Sequence, residues 1–184
     1  MRNQNVAVFD LTGRVALITG GGSGIGRGCA NILAEAGAAV VIVGRRIDKL
    51  KSVQEEIMKK NGKCAIFAAD LTNEEACKET VAFCVEQFGR LDIVVNSAGG
   101  RGVHGELEKE FLTENLNHTM SVDFNSAFFV IKYAYPECAK QGVGSIINIA
   151  SLAALSARGP IVYSAAKGAM KSMGKTLAKR LGDK

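Results

Sequence analysis

Thr19-Gly20-Gly21-Gly22-Ser23-Gly24-Ile25-Gly26 is the stretch that decides how this chain folds. It follows the apolar run Val15-Ala16-Leu17-Ile18 and precedes a helical pattern that opens at Ile25. A short buried strand, a glycine-rich turn and a helix start form a unit suited to a dinucleotide pyrophosphate. The glycines let the backbone turn tightly and approach the phosphates, and the free N–H groups of the first helical turn point at the negative charge. Gly20, Gly24 and Gly26 are spaced G-x-x-x-G-x-G, one residue wider at the first gap than the commonest dinucleotide fingerprint. Glycines alone also fit a flexible turn; the place between strand and helix is what points to phosphate.

Strands and helices alternate through the rest of the chain, the pattern of a parallel sheet with helices on both faces. The spacing predicts a strand over 14–19 and a helix over 24–36 whose core face is Ile25, Cys29, Ile32 and Leu33, stopping at Gly37. The apolar strand Ala39 to Val43 follows. A helix over about 46–60 then turns Ile47, Leu50, Val53 and Ile57 inward, and Asn61-Gly62 ends it. A third strand runs from Lys63 to Ala69. The next helix is capped by Thr72 or Asn73, carries Cys77, Val81, Cys84, Val85 and Phe88 on its apolar face, and closes at Gly89. Leu91 to Val95 is a fourth strand, 99–102 begins a loop, 113–139 is one long helix, Ser145 to Ile149 is a fifth strand, and a last helix starts near 160.

No repeat or low-complexity linker divides the chain, so residues 1–184 are expected to form a single dinucleotide-binding domain. The expected fold is α/β: a doubly wound, three-layer α/β/α arrangement around a parallel sheet of order 3-2-1-4-5. That winding calls for a sixth strand beside the fifth, whose apolar edge would otherwise be bare, so C-terminal strands are expected to be missing from this chain.

Length and composition narrow the partners. A chain of 184 residues, 47% hydrophobic and 22% charged, is ordinary for one soluble domain. No apolar run nears the ~20 residues that span a bilayer, and Met1 to Phe9 lacks the apolar centre of a secretory signal. Cys29, Cys64, Cys77, Cys84 and Cys138 form no C-x-x-C pair and fall inside predicted elements, where cysteine acts as a small buried hydrophobe. A cytoplasmic setting without disulfides or metal follows as the expectation. His104 and His118, the only histidines, have no partners at ligand spacing and are read as surface residues. The net charge of +5 raises the question of nucleic acid, but only Lys167, Lys171, Lys175 and Lys179 cluster. Steps of four drift about 40° around a helix, and no stacking aromatics lie between the lysines, so the last three read as a solvated face. Neither nucleic acid nor a membrane is expected as a partner.

In a doubly wound sheet, ligands bind outside the carboxyl ends of the strands, where the strand order reverses. After strand two comes Gly44-Arg45-Arg46, where an NAD site usually places an acid for the ribose 2′-OH; arginines instead favour the 2′-phosphate of NADP. After strand three comes Asp70, followed by Leu71; the aspartate is either a turn residue or an acceptor for an adenine amine. After strand four, Asn96-Ser97-Ala98-Gly99 lets a flat ring pass close to the backbone. After strand five come Ser151 and then Tyr163 and Lys167, an i, i+4 pair on one helix face. A neighbouring ammonium favours the phenolate form of a tyrosine, which can then exchange a proton with a carbonyl or alcohol oxygen near neutral pH.

These residues resemble the short-chain dehydrogenases/reductases (SDR), a Rossmann-fold family, over the whole chain. The matching set is T-G-x-x-x-G-x-G at 19–26, Asp70, N-x-A-G at 96–99, Ser151 and Y-x-x-x-K at 163–167. The resemblance implies that Tyr163 is the acid/base, that Lys167 holds the nicotinamide ribose and tunes Tyr163, and that Ser151 orients the substrate oxygen. It implies a cofactor site of Gly20, Ser23, Gly24, Ile25 and Gly26 at the phosphates, Arg45 and Arg46 at the ribose, and Asp70, Leu71, Asn96, Ala98 and Gly99 on the adenine side. An arginine matching Arg45 marks NADP-preferring members, whereas Ser23 stands where many of those carry a basic residue; NAD stays open. The implied reaction interconverts a secondary alcohol and a ketone, in the manner of a 3-oxoacyl-thioester reductase or a hydroxysteroid or sugar-alcohol dehydrogenase. Phe124, Phe128 and Phe129 on the long helix and Met170 and Met173 on the last helix are core or interface residues, and in SDR relatives those two helices join subunits into a dimer or tetramer.

Three features depart from the family pattern. The interval from Ser151 to Tyr163 is twelve positions, one shorter than usual. Val122-Asp123-Phe124 replaces V-N-L, putting an aspartate where an asparagine completes the catalytic tetrad. Asp123 is therefore expected near Lys167, with activity reduced or altered rather than abolished; the alternative is a nucleotide-binding pseudoenzyme. Family members also run to roughly 250 residues, and the further length carries the substrate lid.

Overall fold

Val15–Thr19 (β1) is buried along its whole length, and this unbroken apolar run is why it lies at the centre of the sheet. The computed structural model describes residues 9–103, 105–156 and 158–182, so His104 and the first eight residues lie outside the described residues. After β1 come α1 (Gly24–Glu35), β2 (Ala39–Gly44), α2 (Ile47–Met58), β3 (Lys63–Ala68), α3 (Glu74–Phe88) and β4 (Ile93–Asn96). Then follow α4 (Leu107–Glu110), α5 (Thr113–Met120), α6 (Ser126–Ala139), β5 (Ser145–Asn148) and α7 (Ile161–Leu181). The five strands form one parallel sheet of order β3-β2-β1-β4-β5, as the alternation of elements predicts. One face buries Leu17, Val41, Val43 and Val94 with Val81 and Cys84 of α3 and Val130 of α6. The other buries Ile18, Val40, Ile42 and Val95 with Ala30 of α1 and Leu50 and Ile57 of α2. Both chain reversals at β1 run from its carboxyl end, so the glycine turn and the loop after β4 meet there.

The inward face of α1 differs from the periodicity. Ile25 and Ile32 are 61% and 68% exposed, and the buried stripe is Gly26, Ala30 and Ala34. Small residues win because the helix starts against the turn: at Gly26 any Cβ would run into the carbonyl of Gly20, and side chains four and eight positions on inherit the same close face. Ile47 likewise stands exposed at the open end of α2, while Leu50, Val53 and Ile57 are buried.

The predicted helix over 113–139 is present as α5 and α6 joined by a π-helical turn, Ser121–Asn125, in which the Ser126 N–H donates to the Ser121 carbonyl. The short α4 has no counterpart in the sequence reading. Asn73 caps α3, accepting from the N–H groups of Glu75 and Ala76, and Gly89 closes it at φ 75°. Phe128 is 48% exposed with its ring edge-on to Phe129, whereas Met170 is fully buried. Cys77, Cys84 and Cys138 are buried, and burial pushes the Cys77 and Cys84 thiols up to about 12 and that of Cys138 to about 11. Cys29 and Cys64 are partly exposed, and all five cysteines are free thiols.

β4 opens at Ile93 rather than at Leu91, and the Asp92 side chain just before it ties the starts of β1 and β4 together. Its Oδ1 accepts from Arg14 Nη1 at 2.9 Å and Arg90 Nη2 at 2.5 Å, and its Oδ2 accepts from Val15 N at 2.9 Å and Arg90 Nε at 2.8 Å. Burial alone would raise the Asp92 carboxyl, but Arg90, the Val15 N–H and Arg14 together hold it below the usual range. A carboxyl depressed in the folded state stabilises the fold above its unfolded titration near ~4 and loses that contribution as pH falls through the folded value. Asp92→Asn therefore lowers stability by about 1–3 kcal/mol at pH 7, and in denaturant melts the gap to the parent protein narrows as pH falls below ~4.

Candidate active site

The glycine turn bends through Gly20 at φ 65°, where a Cβ would meet the Ser97 carbonyl oxygen at 2.8 Å and Ala98 at 3.0 Å. The turn and the loop after β4 are thus packed backbone to backbone. Thr19, the last residue of β1, locks them: its Oγ1 accepts from the N–H groups of Ser97 and Ala98, each at 3.0 Å. Sequence reasoning quoted Thr19 but gave it no role; its signal was a hydroxyl at the carboxyl end of a buried strand.

A crevice opens at this carboxyl end. Gly20 and Ser23 line one wall, Arg45 and Arg46 a second, and Asp70, Leu71, Ala98 and Gly99 a third. Lys49, one turn along α2, also lines it, with its Cβ 3.2 Å from where a Gly22 Cβ would stand. The sequence reading missed Lys49, although its i+4 spacing from Arg45 was visible. Among the described residues, none of these three cations makes an ion pair. Asp70 is the turn residue the sequence allowed, and it stands at the crevice. It closes an Asx turn, accepting from the Thr72 N–H at 3.1 Å and the Thr72 hydroxyl at 2.9 Å, and it borders the crevice. Those two hydrogen bonds hold its carboxyl low, with a smaller pull from Arg45.

Four of the residues predicted at the phosphates and the adenine side do not line that crevice. Gly24 and Gly26 form the start of α1, and exposed Ile25 points outside it. Asn96 is buried at the end of β4, donating from Nδ2 to Asn148 Oδ1 at 2.9 Å, so it braces β4 against β5 instead of facing a ligand.

Beyond Gly99 the π-helical turn brings Asp123 inward. Its Oδ1 accepts from the Gly100 N–H at 3.0 Å and lies 3.2 Å from Lys167 Nζ. Both side chains are nearly sealed from solvent, at 1% and 6% exposure. Lys167 Nζ also donates to the Ile149 carbonyl at 3.3 Å and sits 5.7 Å from the centroid of the Tyr163 ring. One of its three protons is thus directed at a protein oxygen, the Ile149 carbonyl, while Asp123 faces its charge. The expectation that Asp123 lies beside Lys167 agrees with this geometry, and the wide π turn is what places it there.

Tyr163 and Ser151 line a second cavity, adjoining the first across Gly99, Asp123 and Lys167. Ser151 Oγ accepts from the Ala153 N–H at 3.2 Å, capping the 3₁₀ turn Leu152–Ala154 and leaving its own proton to donate. Leu152, Leu155 and Pro160 supply apolar wall, and Arg101, Ser156 and Arg158 also line the cavity. An ionisable phenol, a hydroxyl donor and a buried cation around one cavity can exchange a proton with an oxygen held there.

Comparisons with known proteins give the same picture. A family model described as short chain dehydrogenase matches residues 14–184. An uncharacterised oxidoreductase of Staphylococcus aureus is 33% identical over 172 residues, covering 93% of this chain and 73% of that protein. A 2-dehydro-3-deoxy-D-gluconate 5-dehydrogenase of Bacillus subtilis is 38% identical over 174 residues, covering 92% and 66%. Among solved structures, a 7α-hydroxysteroid dehydrogenase complexed with NADH and 7-oxo glycochenodeoxycholic acid superimposes with a TM-score of 0.89 at 30% identity, covering 100% of this chain and 70% of that one.

Proposed function

The chain belongs to the short-chain dehydrogenase family, and from that premise we propose that it is an NADP-preferring oxidoreductase interconverting a secondary alcohol and a ketone. The observation that carries the reading is the continuous row from the glycine turn through Gly99, Asp123 and Lys167 to Tyr163 and Ser151. A nicotinamide cofactor fits this chain. The turn at Gly20 leaves room only for backbone, and the adjoining wall is basic and unpaired, as a phosphorylated nucleotide requires. Ser23 and the first turn of α1 would hold the pyrophosphate, Arg45, Arg46 and Lys49 a 2′-phosphate, and Lys167 the nicotinamide ribose through its remaining protons. When bound, the nicotinamide supplies or accepts the hydride.

The protein's own part is proton movement and positioning. Ser151 donates a hydrogen bond to the substrate oxygen, and Tyr163 gives that oxygen its proton in reduction or takes it in oxidation. Lys167 stabilises charge on the phenol, and Asp123 and Ile149 hold its ammonium in place. We further read the protein as cytoplasmic, a single domain over residues 1–184, and a homo-oligomer joined through α6 and α7, where Phe128 is exposed. No described helix is long and apolar enough to cross a membrane.

The test is the loss of reduced-nicotinamide absorbance with NADPH and a panel of cyclic and linear ketones. A second reading, a nucleotide-binding pseudoenzyme, is favoured by one feature, the Asp123–Lys167 pair where the family pattern has asparagine. Tight NADPH binding with no ketone reduced would establish that second reading and sink the first. Cofactor choice is tested separately. Arg45→Asp and Lys49→Ala each weaken NADPH about tenfold or more, since each removes a charge-assisted bond to phosphate, and each leaves NADH within about threefold. Equal losses for both nucleotides would remove the case for the 2′-phosphate.

A further inference from the structure

Resting on the ketone-reductase reading, we propose that the substrate bears an anionic group, carboxylate or phosphate, which Arg101 and Arg158 hold in the cavity of Ser151 and Tyr163. Among the described residues the cavity has apolar walls, three hydroxyls (Ser151, Ser156 and Tyr163) and two charges, both arginines, and no acid lines it. Among the described residues neither arginine makes an ion pair. The acid bonded to the neighbouring helix start, Glu110, accepts from the Ile161 N–H through Oε2 at 2.8 Å and forms no ion pair with either arginine. Two uncompensated guanidiniums on one cavity repel each other in the empty protein, a conflict that an anion relieves.

The backbone beside each arginine is pinned. Gly102 follows Arg101 at φ 68°, and a Cβ there would lie 3.2 Å from the Cβ of Tyr163. Gly159 follows Arg158, and a Cβ there would lie 2.7 Å from the Cβ of Ala153 and 2.8 Å from Ser164 Oγ. Both segments are therefore seated on the elements that present Tyr163 and Ser151, with only the long side chains projecting. A guanidinium fork matches the oxygens of a carboxylate or phosphate, often through two bonds at once. The ketone oxygen lies at Ser151 and Tyr163, the anion at the arginines, and an apolar body against Leu152 and Leu155, which are 79% and 66% exposed. Because the arginines are exposed, the attraction is moderate and salt-sensitive.

Three compounds of one shape separate the possibilities: 4-oxocyclohexanecarboxylate, 4-oxocyclohexylphosphonate and neutral 4-methylcyclohexanone. With NADPH, at least one anion is expected to show a kcat/KM about tenfold above the neutral ketone. The ratio shrinks in about 0.5 M NaCl and falls to about one in the double variant Arg101→Ala, Arg158→Ala. Being internal to each protein, the ratio is insensitive to how much of a variant is folded. Which anion gains more tells carboxylate from phosphate. A ratio near one in the parent protein, or an undiminished ratio in the double variant, overturns the proposal while leaving the reductase reading intact. If no ketone turns over, that reading fails instead. Calorimetric binding of the three compounds to the NADPH-bound protein, with and without the arginines, then decides the anion preference by the same ratios.

Discussion

Tyr163→Phe lowers turnover about 10²–10⁴-fold, the usual worth of a positioned acid/base group, and leaves NADPH affinity within about threefold. The substitution deletes one oxygen. The Cβ remains against Gly102 and the ring near the Lys167 ammonium, so the cavity keeps its shape and the nucleotide crevice its walls. What disappears is the phenol that lines the cavity with Ser151, and with it the proton that the substrate oxygen must receive or lose. Ser151 cannot replace it: one lone pair of its oxygen is engaged by the Ala153 N–H, and an unactivated hydroxyl is a poor acid. The loss therefore falls on kcat, with KM moving little. A variant that kept more than a tenth of the parent turnover would show that the proton travels elsewhere, and the site would have to be sought away from residue 163.

How much of this was legible beforehand depends on which force dominates locally. The sheet was legible almost residue by residue, because strands buried on both faces must be continuous runs such as Ala39 to Val43, and nothing else in the chain looks like them. The inward face of α1 was not, because hydrophobicity favours Ile25 and Ile32 while the glycine turn admits only Gly26, Ala30 and Ala34; a steric limit from another element outweighed the local preference. The π-helical turn at Ser121–Asn125 was not legible, because a single wide turn is too short to show a period of its own. Chemistry at the strand ends was readable where it lay in compact patterns, as with Tyr163 and Lys167. It was lost where partners come from distant segments: Asn96 with Asn148, Thr19 with the Ser97 and Ala98 amides, Arg101 with Arg158. In each case one residue alone had an ordinary explanation, and only the fold supplied the other half.

Asp123→Asn and Asp123→Leu should separate sharply, and the separation tests what the departure from asparagine does. In the parent protein the carboxylate is nearly solvent-free, accepts from the Gly100 N–H and faces Lys167 Nζ at 3.2 Å. Leucine removes both the charge and the acceptor. The lysine is then a buried cation with only the Ile149 carbonyl for company, and breaking such a pair from one side costs about 3–5 kcal/mol. A marked fall in melting temperature and loss of turnover are expected together. Asparagine behaves differently, because its amide oxygen can still accept from Gly100 and Lys167 while the negative charge is gone. The lysine keeps the Ile149 carbonyl and an amide oxygen beside it, and so keeps its place near Tyr163. Turnover by Asp123→Asn at pH 7 is expected to match or exceed the parent, whereas Asp123→Leu loses it. Retained turnover in the asparagine variant beside its loss in the leucine variant would mark Asp123 as a positioning residue acting through Lys167. Loss of activity in Asp123→Asn would mean that the carboxylate itself is required, and the account of this residue as a tolerated substitute for asparagine would be wrong.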